Sequence, residues 1–166
     1  MKQEWVATLL VRELESFKQE IMAFPDDASV WETRPGVTNS VGTLALHLSG
    51  NLQHFVGAVL AGNGYVRERA REFGDRGAPR AELVAGLDRA IHAIRASLSQ
   101  PLDLAAEFPE AIGGKVLVTT GDMLLQLVAH TAFHLGQAGY LRRILTGESR
   151  SVGPLLPAGM ATARMV

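Results

Sequence analysis

Residues 119–145 read TTGDMLLQLVAHTAFHLGQAGYLRRIL. At 3.6 residues per turn, Met123, Leu127, His130, His134, Ala138, Leu141 and Leu145 succeed one another at spacings of 4, 3, 4, 4, 3 and 4, so they share one face. The pattern predicts a helix from near Thr119–Asp122 to about Leu145, stopped by Thr146-Gly147. A helix of this kind gains most of its stability by burying its apolar seam against other elements. The rest of the chain supplies three such partners.

Leu10, Leu14, Phe17, Ile21 and Phe24 make the seam of a first helix, from about Lys2 to Phe24, which Pro25 and Asp26-Asp27 end. A second helix starts at Asn39 or Ser40, both good N-caps, and runs to about Ala61 with Val41, Leu44, Leu48, Leu52, Phe55 and Val59 inward. Gly62-Asn63-Gly64 stops it. A third follows Pro79, with Leu83, Leu87, Ile91, Ile94 and Leu98 on its core face, and closes at Gln100-Pro101. Between the third helix and Thr119, Gly113-Gly114 separates two short β-prone runs, the signature of a short β-hairpin.

Four amphipathic helices in one chain of 166 residues give an all-α fold, a four-helix bundle. The long, charged crossover from Arg67 to Arg80 lets helices two and three run parallel, so the expected order is up-down-down-up. Its mixed signs read as a solvated connection, with Arg67, Arg69 and Arg71 keeping it soluble, the alternative being that they serve an anionic substrate. The expected organisation is a bundle over residues 1–146 and a Gly/Pro-containing tail over 147–166. Leu155, Leu156, Met160 and Met165 give that tail an apolar character.

Composition excludes several functions. Sixteen Lys+Arg against seventeen Asp+Glu leave no basic excess for gripping nucleic acid. The absence of cysteine removes disulfides, cysteine-based zinc sites and a cysteine nucleophile. No apolar run approaches the ~18 residues of a membrane span, and the start, with Glu4, does not read as a secretory signal. The expectation is a cytoplasmic protein with no membrane partner.

The chemistry lies on the fourth helix. His130 and His134 are one turn apart on the core face, so both imidazoles can converge on one metal ion. Two histidines in a dry interior must each satisfy two nitrogens, and a metal takes one nitrogen of each ring. The second helix offers a third ligand, either His47 or His54, on a line with Asn51 bordering the core stripe; two turns apart, they cannot both reach one ion. Three neutral imidazoles leave coordination positions open, as in a catalytic site, for one divalent ion: zinc or nickel first, with iron compatible. Acceptors for the second ring nitrogens would be Asn51, one turn beyond His47, and Gln137, one turn past His134. Glu13 and Glu20 lie at the edge of the first helix's seam and read as solvated edges, and His92 lies opposite the third helix's seam, exposed.

The stretch from Asn39 through His47 to Asn51-Leu52, with His130-Thr-Ala-Phe-His134-Leu-Gly-Gln137, resembles the DinB/YfiT-like superfamily; so do the Arg71-Glu72-Phe73 crossover and the Gly-Gly turn. The resemblance runs from about Trp5 to Leu145. It implies the same bundle and a metal triad on His47, His130 and His134, which leaves His54 to support a ligand from behind, line the pocket or pack. It also implies a homodimer. Members with assigned activities include thiol S-transferases using bacillithiol or mycothiol, and a mycothiol-dependent isomerase. The leading expectation is thus a metal-dependent S-transferase joining a low-molecular-weight thiol to an electrophilic small molecule. A metal-dependent hydrolase of a small amide or ester and a non-catalytic metal or ligand-binding bundle are the alternatives.

Overall fold

The computed structural model describes residues 2–153, 157, 160 and 162–164. Its helices are α1 (Gln3–Met22), α2 (Val41–Leu52), α3 (Arg69–Gly74), α4 (Arg80–Leu98) and α5 (Thr120–Thr146), with a short 3-10 turn at Ser29–Trp31. α2 passes without a break into a π-helical stretch, Gln53–Val59. The starts follow the capping logic. The Ser40 hydroxyl accepts from the Thr43 amide at 3.1 Å, and Thr119 accepts from the Asp122 amide at the same distance. Gly147, with φ near +73°, ends α5 in the left-handed conformation that glycine adopts without strain.

Four long helices pack as a bundle, and inter-helix contacts fix their directions. Gln3 at the start of α1 donates to the carbonyl of Leu98 at the end of α4, and Asp27 just past α1 accepts from Arg80 at the start of α4, so these two are antiparallel. Ser49 donates to the Gly86 carbonyl and Gly57 packs against Ala93, which makes α2 and α4 parallel. The Glu20–Arg142 pair joins the late turns of α1 and α5, which are therefore parallel too. The order is up-down-down-up, as the long crossover predicts.

The seams of α1 and α4 are buried as expected, with Leu10, Leu14, Phe17, Ile21, Leu87 and Ile94 fully enclosed. α2 departs from its ideal wheel at the π stretch. The wider i→i+5 turn moves the inward position to Val56, and Phe55 and Val59 are only half-buried. Along α5 the deepest line is Leu124, Leu127, Thr131, Leu135, Ala138 and Arg142. His130 and His134 flank that line, half-buried, on the side that faces α2 rather than at its dry centre.

The hairpin expected before α5 does not form, and no strand occurs among the described residues. Ile112 and Val116 exchange a pair of backbone hydrogen bonds around Gly113-Gly114, and Glu107 bridges Thr119. The arm goes no further because Phe108 is anchored in the core, 1% exposed, and so short a pairing lacks an apolar face of its own.

Glu13 and Glu20 are not solvated edges. They are 3% and 4% exposed. Arg142, wholly buried on the seam of α5, must have an anion beside it, and Glu20 supplies one. The nearby Gly139 leaves the space this carboxylate occupies. Arg142 also donates to the Arg150 carbonyl at 2.6 Å, tying the chain beyond α5 back to the bundle. Of the tail's apolar residues, Met160 accepts from Arg12 at 3.2 Å; Leu155, Leu156 and Met165 lie outside the described residues. No helix among the described residues is long and apolar enough to cross a membrane.

Candidate metal centre

α2 and α5 run antiparallel past one another, which brings His47 opposite His130 and His134. The Nε2 atoms of His47 and His130 lie 3.2 Å apart, and those of His130 and His134 lie 3.0 Å apart. All three donor nitrogens fall within 4.8 Å of one another. Nitrogens bound tetrahedrally to one ion at ~2.0–2.1 Å would stand roughly 3.4 Å from each other, so the cluster needs only small shifts to hold one.

The groups behind the rings decide where the protons are. His47, 5% exposed, has Glu72 Oε2 at 2.9 Å from its Nδ1. Burial pushes the Glu72 carboxyl up, but hydrogen bonds from Arg67 and His47 outweigh it and hold the group below its ordinary range. Arg67 grips it with two nitrogens, at 2.6 and 2.8 Å. An ionised carboxylate only accepts, so the proton of a neutral His47 sits on Nδ1 and its Nε2 is a bare lone pair. His134 repeats the arrangement, with its Nδ1 2.8 Å from Gln137 Oε1.

His130 Nε2 therefore faces two lone pairs and has at most one proton to give. Burial, helped by the charges of His134, His47, Arg67 and Arg69, lowers its pKa to about 4; burial likewise lowers that of His134 despite the bond to Gln137. Both rings are neutral at pH 7. Three imidazoles aimed at one point, two with their outer nitrogens already engaged, form a donor set compatible with a divalent cation. The residues present fit such an ion.

The other sequence-predicted residues divide. Gln137 lies behind His134 as expected. Asn51 does not reach His47 Nδ1, because Glu72 occupies that position. It lies instead against the neighbouring cleft, 6% exposed, with its Oδ1 buried and without a partner among the described residues. His54 stays out of the cluster; carried on the π stretch, it pairs with Glu110 at 3.1 Å. His92 is exposed.

Glu72 and Arg67 are the residues that the sequence reading missed. The crossover is not simply a solvated connection: α3 folds back on α2 and buries Glu72 to 5% exposure. Gly50 permits this approach, since a Cβ there would overlap the Glu72 carboxylate. Phe73, next in sequence, lies with its ring 4.9 Å from that of His47. The available signal was an apolar Phe73 inside a charged run, facing a helix with a glycine at residue 50.

Beside the histidines lies a cleft of about 550 Å³, lined among others by His47, Asn51, Phe55, Arg67, Arg69, Glu110, Met123, Leu127 and His130. Its lining mixes apolar side chains, among them Phe55, Met123 and Leu127, with polar and charged ones.

No curated protein matches the chain. A family model does, described as mycothiol-S-transferase and matching residues 6–147, a span that contains the three histidines, Glu72 and Gln137. That match covers all but the two ends, and the chain belongs to the mycothiol-S-transferase family.

Proposed function

We propose that this protein is a metal-dependent S-transferase that joins mycothiol to an electrophilic small molecule. The observation that carries the reading is the cleft of about 550 Å³ against His47 and His130, which gives the three-nitrogen cluster room for a substrate. A bundle that only stored a metal would have no use for an open cavity there.

His47, His130 and His134 would hold the ion through their Nε2 atoms, with zinc or nickel the ions their chemistry suits best. When bound, it supplies Lewis-acid chemistry that makes a thiol a thiolate at neutral pH. Glu72 fixes the orientation and tautomer of His47, and Arg67 keeps Glu72 ionised. Gln137 does the same for His134. Phe55, Met123 and Leu127 give the cleft apolar surface suited to the body of an electrophile, while Asn51 offers it a polar group. The chain has no cysteine, so the sulfur must come from the thiol substrate.

The test is turnover of mycothiol with a panel of electrophiles, alongside a panel of small amides and esters with thiol omitted. Product formed only when mycothiol is present supports the transferase. Hydrolysis without thiol would replace it with the hydrolase reading, and no turnover in either panel with the metal in place would leave a binding bundle.

A further inference from the structure

Four arginines of the crossover and the start of α4 have partners. Arg67 is held by Glu72, Arg71 reaches both Glu68 and Asp75, Arg76 donates to the carbonyls of Phe73 and Asp75, and Arg80 holds Asp27. Arg69 has neither a carboxylate nor a carbonyl partner among the described residues. Glu110, which lines the same cleft, is paired with His54.

Arg69 is nonetheless held in place. Its guanidinium lies 5.0 Å over the Phe73 ring, and Phe73 in turn packs on His47. Through this stack the cation stands beside the histidine cluster, and Arg69 lines the cleft together with His47 and His130. It remains accessible from solvent, as a group that meets an incoming ligand must be.

We propose that Arg69 reads a carboxylate on the electrophilic co-substrate, so that the protein selects anionic electrophiles over neutral ones of the same shape. The forked donors of a guanidinium match a carboxylate in two parallel hydrogen bonds. The inference rests on the transferase reading and adds to it the class of the second substrate.

Iodoacetate and iodoacetamide are near-isosteric electrophiles that differ in charge, and no protein thiol competes for them. In each reaction the thiolate sulfur forms a bond to the CH2 carbon, the carbon–iodine bond breaks, iodide leaves with the electron pair, and the thiol proton passes to water. With mycothiol as the thiol, and each rate divided by its uncatalysed counterpart, the wild type should favour iodoacetate by roughly tenfold. Arg69→Gln should abolish that preference, read as the ratio of the two rates whatever their absolute level, and Arg69→Lys should keep part of it. A preference that survives Arg69→Gln overturns the proposal. So does a rise in the KM for mycothiol that is the same with both electrophiles, which would place the contact on the thiol.

A second arm does not depend on turnover. Ligand-observed NMR of phenylacetate and phenylacetamide should show the anion bound roughly tenfold more tightly by the wild type and not by Arg69→Gln. Charge-selective binding that needs Arg69, in a protein that transfers no thiol, would remove the transferase and keep the anion site. Equal binding of both probes by the wild type overturns the anion site whatever the turnover.

Discussion

Gly50 and Glu72 share one small volume: the hydrogen on the α2 glycine leaves the gap into which the α3 carboxylate fits, and a methyl group there would overlap it. Through that gap Glu72 reaches His47 Nδ1 at 2.9 Å. A glycine inside a helix costs about 1 kcal/mol relative to alanine. Here it admits the group that orients a candidate ligand.

Gly50→Ala should therefore raise helix propensity and still damage the site. Metal affinity, read by competition with a chromophoric chelator, should fall roughly 10–100-fold, the usual cost of losing a group behind a ligating histidine. Glu72→Gln should fall by a similar factor while the bundle stays folded by circular dichroism. Wild-type affinity in both variants would mean that His47 needs no support from α3.

Asn51 sets stability against function. Its buried Oδ1 has no partner among the described residues. Asn51→Leu, similar in shape, should leave stability unchanged or raise it by about 1 kcal/mol, since an unsatisfied buried acceptor is removed. The same change should lower kcat/KM for thiol transfer. Urea unfolding and steady-state kinetics on one preparation test both halves, and a clear loss of stability would show that Asn51 is a packing residue.

Glu13 makes stability depend on pH. Burial raises its pKa from 4.5 to about 7, against the opposing effect of Arg12. The folded state therefore holds this proton more tightly than the unfolded chain. The resulting stabilisation is complete below the unfolded value, near pH 4.5, and is lost as pH rises to about 7. The loss amounts to at most about 3 kcal/mol. Urea midpoints between pH 4.5 and 8 should fall more steeply for the wild type than for Glu13→Gln, and parallel curves would refute the assignment.

The bundle was legible because its signal is periodic. The seams of α1 and α4 and the stop at Gly147 follow from spacing and caps, each of which is local. The π stretch was not, because nothing in Gln53–Val59 marks the wider turn that exchanges Phe55 for Val56 at the inward position. The histidine cluster was half-legible. Spacing alone pairs His130 with His134, whereas the choice between His47 and His54 depends on how α2 passes α5, a tertiary fact. Glu72 was hidden because a charged crossover looks solvated until a glycine on another helix opens a place for it. Glu20 was misread for a related reason. Its burial follows from Arg142, a cation on the buried face of α5 that lies 122 residues away in sequence.

The central claim is that His47, His130 and His134 hold a divalent metal ion. Elemental analysis of untagged protein, beside a His130→Ala/His134→Ala variant, tests it most directly. The account predicts about one equivalent of zinc, nickel or iron per chain in the wild type, lost in the variant. Wild-type protein that is isolated without metal and takes up neither zinc nor nickel when they are added would contradict it.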